Sequence, residues 1–298
     1  MTHSPTSGRR VFDVHPHIVS PDVDRYPVAP QGGHRSDWSK HRSVDFDQLK
    51  TDMDAAGIER AAIVHSSTTY GYDASYLADA IAGHHDRFTG VFSIDVQAAD
   101  APERIKYWLD RGLSGLRLFA AGTTVSGSQA WIADPSTYPA WQYCADNDVP
   151  VALSLRQDGL PHLVDVLERF PTVRVILDHL LHAPMADGPP YAEAKPLFDM
   201  AAYPTVHLKL TPAIIRRSKV APTSPETFFG KLMDTFGSER IAWGSNYPAI
   251  DGSLPQLVAE AEEVLSILPE ADQENIFWRT AAAFYPALAD KSALAKSA

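Results

Sequence analysis

Three histidines stand in two short motifs whose spacing suits either the polarisation of a carbonyl group or the binding of a metal ion. His15 and His17 belong to the run Asp13-Val-His15-Pro-His17, and His179 directly follows Asp178. Residues two apart on a strand point to the same face, so the imidazoles of His15 and His17 are expected to converge. Two converging imidazoles commonly bind one metal ion, and a third imidazole completes a zinc site that keeps one position open for water.

Arg117, His182 and Asn246 could complete such a site. Arg117 lies between two leucines, and because a buried unpaired charge is very unfavourable it must form an ion pair or clamp a carboxylate in a cavity. His182 can titrate near neutral pH. Asn246 can donate and accept hydrogen bonds but cannot take a proton. Asp178 alternates with His179 along the chain, so it is expected to face away from the site and to hold a helix or orient a neighbour.

Eight short apolar runs are predicted to be the strands that position these side chains. Each run carries few charges before its C-terminal end, which is typical of parallel strands buried on both faces. The runs are Val11–Val14, Ala61–Val64, Gly90–Ile94, Gly115–Phe119, Val151–Leu155, Val173–Leu177, Val206–Leu210 and Ile241–Trp243. The candidate residues lie near the C-terminal ends of these runs.

Segments with a helical period alternate with the apolar runs. They are Asp47–Ala56, Asp73–His84, Pro102–Arg111, Pro139–Asn147, Leu160–Phe170, Tyr191–Ala202, Ser224–Phe236 and Leu254–Leu268. Glycines just past helix ends, such as Gly57, indicate left-handed C-caps. Eight strand–helix pairs predict an α/β fold, a single (β/α)8 TIM barrel with its active site at the C-terminal ends of the strands.

The barrel is expected to span residues 11–288, because no break in composition marks a second domain. Residues 1–10 are predicted to be a disordered N-terminal lead-in, and residues 289–298 a tail. Two stretches rich in proline and glycine, Ser20–Ser43 and Ala183–Pro190, follow strand ends and are expected to be active-site loops.

Charge and composition narrow the class of partner. The 298-residue chain has a formal net charge of −11 and no cluster of Lys and Arg, so no nucleic-acid partner is expected. A small anionic substrate remains compatible, because a few buried arginines set the local potential. The one cysteine, Cys144, excludes an internal disulfide and suits a reducing cytoplasm. No apolar run approaches the roughly 20 residues that span a bilayer, so no membrane partner is expected, and a homo-oligomer stays open.

Together the motifs resemble the amidohydrolase-related family of the amidohydrolase superfamily, over nearly the whole chain. Asp13-Val-His15-Pro-His17 is similar to the Asp-x-His-x-His of that family's first strand, and Leu177-Asp178-His179 to its Asp-His signature on strand six. Trp243-Gly-Ser-Asn246-Tyr-Pro is similar to its Trp-Gly-Ser/Thr-Asp-x-Pro on strand eight, with Asn in place of Asp.

Within this family the chain resembles the lactonase branch, which includes enzymes that open pyrone dicarboxylates. Arg25-Tyr26-Pro, the short loop at His65 and Gly115-Leu-Arg117 are the segments that fit this branch. The resemblance implies a hydrolase that opens a small anionic cyclic ester, a lactone, by attack of water on its carbonyl carbon. Further substrate contacts are expected from three side chains: Tyr26, Tyr72 and Arg217.

The resemblance also implies a role for each matching residue. His15, His17 and His179 would position or polarise the carbonyl group, and Arg117 would bind a substrate carboxylate. Asn246 stands where the lactonases have the aspartate that activates water, and removal of a general base typically lowers the rate ~10²–10⁴-fold. The residues that could supply a base instead are His182, Asp251, Asp158 and Asp73.

No resident cofactor is favoured, because two ligand positions of the metal-dependent members lack their usual residue, at strand five and at Asn246. The alternative is one divalent metal, Zn²⁺, held by His15, His17 and His179. Two other functions stay open. One is a metal-dependent decarboxylase or lyase, and the other is a weakened or non-catalytic barrel subunit, which the loss of the acid at Asn246 motivates.

Overall fold

Eight parallel strands pair in the order of the chain and form a nearly closed barrel. The computed structural model describes residues 8–122 and 124–290. The strands are β1 (Phe12–Asp13), β2 (Arg60–Val64), β3 (Phe88–Phe92), β4 (Gly115–Phe119), β5 (Val151–Ser154), β6 (Val175–Leu177), β7 (Val206–Leu210) and β8 (Ile241–Trp243). The amide of Val14 donates to the carbonyl of Trp243 over 3.3 Å and joins β8 to β1. The predicted TIM barrel is therefore confirmed.

Helices lie between the strands and pack their apolar faces on the outside of the barrel. They are α1 (Asp37–His41), α2 (Phe46–Ala56), α3 (Ser67–Tyr70), α4 (Ser75–Ile81), α5 (Ala101–Asp110), α6 (Tyr138–Asp146), α7 (Leu160–Arg169), α8 (Lys195–Asp199), α9 (Pro212–Ser218), α10 (Pro225–Phe236), α11 (Leu254–Leu265), α12 (Glu270–Glu274) and α13 (Thr280–Phe284). In α7, Leu163, Val166 and Leu167 share one buried face, as the 3.6-residue period requires.

Some predicted bounds were wrong. β3 begins two residues before the predicted Gly90 and ends at Phe92, because buried apolar residues such as Ile94 continue beyond the paired segment. The predicted helix Tyr191–Ala202 is broken, and only Lys195–Asp199 is α-helical. Pro196 stands in the first turn of that short helix and lacks the amide hydrogen that a longer helix would need there.

Apolar side chains, several of them alanines, fill the barrel interior, which a C-terminal helical segment closes from below. Ala62, Ala152 and Ala242 lie inside with Phe284 and Tyr285 of that segment. A Cβ atom at Gly115, the first residue of β4, would lie 3.0 Å from Cε1 of Tyr285. The aromatic plug therefore sits at the N-terminal end of the strands, and the opposite end stays available for a site.

The two ends of the described chain lie close together and are joined by an ion pair. Most of the predicted lead-in (residues 1–10) and of the predicted tail (residues 289–298) lies outside the described residues, which include only 8–10 and 289–290 of them. Where the described chain begins, Arg10 forms ion pairs with Glu59 and Asp290, each at 2.9 Å. Within residues 8–122 and 124–290, none of the helices combines the length and the apolar composition needed to cross a bilayer.

Candidate active site

Asp13 fastens the first strand to the last one and so fixes where the first-strand histidines stand. Its Oδ1 accepts hydrogen bonds from the amides of His15, at 2.9 Å, and Ser245, at 2.8 Å. Gly244 allows the two strands to approach, since a Cβ atom there would lie 2.7 Å from Cβ of His15. Burial raises the pKa of Asp13 to about 6, against the hydrogen bonds from Ser245 and His15 that lower it.

A buried ionic cluster lies at the centre of the C-terminal barrel end. The ammonium Nζ of Lys209, on β7, lies 3.0 Å from Oδ1 of Asp178 and 3.2 Å from Nδ1 of His15. Arg117, on β4, donates from Nε to Oδ2 of Asp178 over 3.2 Å. The side chains of Lys209 and Asp178 are fully buried. One carboxylate is thus shared between two cations.

The position of Asp178 differs from the expectation that it faces away from the site. His179 adopts left-handed backbone angles (φ 55°, ψ 31°), so the strand alternation ends at Leu177 and both Asp178 and His179 point into the barrel mouth. Burial alone would raise the pKa of Asp178, but Lys209, His15 and Arg117 outweigh it and hold that pKa well below its ordinary value. Asp178 therefore stays ionised.

Above this cluster lies an open cavity of about 210 Å³. Four predicted catalytic residues line it, namely His17, His179, His182 and Asn246, and so does Arg117. His15 lies beneath it and is completely buried. The remaining lining residues are mostly small, hydroxylic or aromatic: Trp38, Ser66, Ser67, Thr68, Phe119, Ala121, Gly122, Ser154 and Ala249. No aspartate or glutamate of the described chain lines this cavity.

Hydrogen bonds fix the rings of His17 and His179. Nδ1 of His17 donates to the carbonyl of Val64 over 2.9 Å, which leaves Nε2 as the nitrogen with a free lone pair. Nδ1 of His179 lies 3.1 Å from Oγ1 of Thr211. Burial lowers the pKa of each imidazole to about 3. Both rings are therefore neutral at physiological pH.

His179 and His182 begin and end a single left-handed turn after β6. His179, Leu180, Leu181 and His182 have φ angles of 55°, 46°, 53° and 50°. Residues three apart eclipse each other in such a tight turn, and the two imidazoles stack with their centroids 4.9 Å apart. His182 is the exposed member, at the cavity mouth. Its ring is still partly buried, and this partial burial and the nearby charge of Arg217 lower its pKa.

Arg117 connects the main cavity with a second one of about 130 Å³. Its guanidinium lies over the ring of Phe119, 4.8 Å from the centroid, and Phe119 also lines both spaces. Among the residues that the structure describes, Nη1 and Nη2 of Arg117 have no hydrogen-bond partner. Two donors of a held guanidinium are thus available to an oxygen-rich ligand.

A family model described as amidohydrolase matches residues 12–287. The chain belongs to the amidohydrolase family. It is 27% identical over 218 residues to an L-fucono-1,5-lactonase of Burkholderia ambifaria, across 70% of this chain and 71% of the relative.

Solved structures share the fold of this amidohydrolase. An amidohydrolase of Burkholderia multivorans with bound zinc superposes with a TM-score of 0.73 at 20% identity, across 93% of this chain and 99% of the other. A Pseudomonas putida protein named as a 2-pyrone-4,6-dicarboxylic acid hydrolase gives a TM-score of 0.74 at 17% identity, across 94% and 99%.

The three other residues that were predicted to contact the substrate lie in different places. Tyr72 lines the second cavity beside Arg117. Tyr26 is in neither cavity, and its hydroxyl donates to Asp79 over 2.8 Å. Arg217 donates from Nη1 to the carbonyl of His182 over 3.3 Å, while its buried Nε and Nη2 have no partner among the described residues.

The three aspartates that the sequence offered as bases all lie outside the cavity. Asp251 pairs with Arg42, Asp158 pairs with Arg156 at 3.2 Å, and Asp73 accepts from the amide of Ser75 at 2.9 Å. Each of these carboxylates is exposed. His182 is the remaining member of the predicted set that lines the cavity.

Sequence reasoning missed Lys209, and it named Trp38 among the aromatic residues that could line the pocket without counting it as a substrate contact. Lys209 interrupts the apolar run Val-His-Leu-Lys-Leu of β7, and a lysine flanked by leucines in a buried strand was a readable signal. Trp38 comes from the long loop after β1 and stacks on His17 with the ring centroids 5.1 Å apart. This loop supplies a cavity wall, whereas none of the cavity-lining residues comes from the second predicted loop, Ala183–Pro190.

Proposed function

We propose that this amidohydrolase opens a small anionic lactone by attack of water on the carbonyl carbon. The observation that carries the proposal is the pair of guanidinium nitrogens of Arg117 that, within residues 8–122 and 124–290, have no hydrogen-bond partner and face a cavity lined by neutral imidazoles and by no acidic side chain. The similarity to an L-fucono-1,5-lactonase supports the substrate class. The concave space at the strand ends suits a small molecule rather than a polymer.

Arg117 supplies the electrostatic stabilisation. As water adds to the carbonyl carbon, negative charge develops on the carbonyl oxygen, and donors fixed near that oxygen stabilise the transition state. Asp178 holds Nε of Arg117, so the fork is oriented before the substrate arrives. When the ring C–O bond breaks, the leaving oxygen takes up a proton and the product is a hydroxy acid.

His182 is the base in this proposal, and Asn246 orients the water. Both residues line the cavity, and the pKa of His182 is lowered from its ordinary value of 6.5, so the ring is neutral at pH 7. A neutral imidazole can accept a proton from the attacking water and return it to the leaving oxygen. The amide of Asn246 can position water but cannot accept the proton.

The second cavity and Arg217 extend the same site. Tyr72, Asp95 and Arg117 line the second cavity, which has room for a hydroxyl of the substrate beyond the reacting ring. Arg217 lines neither cavity, but it lies behind His182, and its positive charge adds to the potential that attracts a substrate anion. We propose a catabolic role in the cytoplasm with such a small molecule as the partner.

The experiment measures the hydrolysis of a panel of five- and six-membered sugar lactones, with and without a carboxylate. The release of acid at constant pH is the readout. We expect turnover of at least one anionic lactone. Arg117→Lys keeps the charge but removes the fork, and kcat/KM should fall about 10²-fold. Arg169→Lys, at an exposed arginine over Tyr138, is the matched control and should retain wild-type activity. No turnover of any lactone would sink the proposal.

A further inference from the structure

Lys209 is a lysine built into the centre of the barrel with no access to solvent. It belongs to β7, its exposed fraction is 0%, and its Nζ contacts Asp178 and His15. A lysine at such a depth is rare unless it is paired. The pairing is with Asp178, a buried acidic group of the site, so the lysine belongs to the polar centre and not to the packing of the outer helices.

The two partners of Lys209, together with His179, form the one group of the described chain whose donor atoms are near enough to hold a metal ion. These residues are His15, Asp178 and His179, whose candidate ligand atoms lie within 4.8 Å of one another, and His17 is not part of the group. The buried Nε2 of His15, which has no partner, is the observation in favour of a metal.

Three features of the donor set argue against a resident metal. Asp178 is already shared by Lys209 and Arg117, at 3.0 and 3.2 Å. A divalent ion on that carboxylate would stand beside two buried cations, and like charges repel strongly where water is excluded. Nδ1 of His15 lies 3.2 Å from the Lys209 ammonium but 3.5 Å from Oδ1 of Asp178, so Nδ1 accepts from Lys209, and the hydrogen of the neutral ring is on Nε2, which then has no lone pair for a metal.

We propose that Lys209 is the built-in cation of this site and keeps divalent metals out of it. Its ammonium neutralises Asp178 and fixes the tautomer of His15, so the pocket above works without a bound metal. Lys209 touches no substrate, because it is fully buried under the cavity floor. It is a positioning residue that acts through Asp178 and His15. The inference concerns metal binding and does not depend on which lactone is turned over.

The test is a zinc titration of the full-length chain without an affinity tag, with zinc alone as the probe. Wild type and three variants, Lys209→Met, Lys209→Arg and Lys231→Met, are dialysed against zinc, desalted and analysed for metal. Lys231 is exposed, so Lys231→Met controls for the loss of a lysine. We expect far below one zinc per chain in wild type, Lys209→Arg and Lys231→Met, and about one in Lys209→Met.

Two further preparations make the outcome decisive. Lys209→Met combined with Asp178→Asn should lose the zinc that Lys209→Met gains, because the proposed ligand is gone. Lys209→Gln replaces Lys209→Met if circular dichroism shows that the latter is unfolded. Wild type that retains about one zinc per chain after dialysis would overturn the proposal. So would folded neutral variants that bind no more zinc than Lys231→Met.

Discussion

The individual side chains of this site are organised around one charge, that of Asp178. Lys209 and Arg117 both lie within 3.2 Å of its carboxylate oxygens, and their positive charges make protonation of the surrounding imidazoles unfavourable. His15, His17 and His179 therefore all have lowered pKa values, with burial as the main cause in each. The result is a cavity with a cationic guanidinium and neutral rings, suited to an anionic substrate.

The proposed role of His182 as the base predicts how the reaction rate depends on pH. Because the base must be unprotonated and its pKa lies below 6.5, kcat/KM for the lactone should be level at pH 7 and fall as the pH drops through that pKa. His182→Gln should lower kcat/KM by ~10²–10⁴-fold and abolish this acid limb. Initial rates between pH 4.5 and pH 8 are the measurement.

His162 offers a control for that experiment, because it is a histidine on the outer helix α7 that lines neither cavity. His162→Gln should leave the rate and the acid limb as in wild type. If His182→Gln keeps full turnover with an unchanged pH profile, the base is another group, and His17 with its free Nε2 becomes the next candidate.

At the scale of elements, the turn after β6 is unusual because four residues other than glycine adopt left-handed angles. A left-handed conformation is unfavourable by roughly 1–2 kcal/mol for each L-residue. Leu180 and Leu181 are buried, so apolar packing offsets part of this strain. The turn brings His179 and His182 into one stack, which an extended continuation of β6 could not do.

The strain predicts how position 182 tolerates substitution. Asparagine is at ease in the left-handed region, whereas a β-branched residue is not. His182→Asn should therefore retain a free energy of unfolding close to wild type, and His182→Val should be less stable than His182→Asn by about 1–2 kcal/mol. Urea unfolding measures both. Equal stability of the two variants would show that the turn rearranges freely.

For the whole molecule, the burial of neutral histidines makes stability depend on pH. His17 and His179 have pKa values of about 3, and His65 and His207 of about 4, with burial as the first cause in all four. The unfolded chain binds protons on these groups near pH 6.5 while the folded chain does not, so stability is complete above that pH and is lost as the pH falls toward 3. Asp13, whose pKa is raised to about 6, acts in the opposite direction and offsets a part.

We expect the free energy of unfolding to fall between pH 7 and pH 5 by roughly 1–2 kcal/mol for each of these histidines, before the offset from Asp13. Urea unfolding at several pH values measures the slope. His207 packs on Phe284, with ring centroids 4.8 Å apart, and lines neither cavity. His207→Gln should flatten the slope while activity stays at the wild-type level. A stability independent of pH in this range would contradict the neutral burial of these rings.

The sequence by itself determined the fold and the end of the barrel where the chemistry lies. Eight buried runs alternate with amphipathic segments, and such a period admits few arrangements other than a parallel barrel. Five residues that were predicted near strand ends line one cavity: Arg117, His17, His179, His182 and Asn246. This worked because the position of a residue along a parallel strand already fixes the end of the barrel to which it belongs.

Only the tertiary structure decided which residues meet. Lys209 is 31 residues from Asp178 and 194 from His15 in the chain, and no local pattern links them. The direction of Asp178 followed from a left-handed turn that strand alternation does not foresee. Tyr26 was expected at the substrate but is hydrogen-bonded to Asp79. Contacts between distant strands and the conformations of loops depend on how the whole chain closes, which a one-dimensional period does not encode.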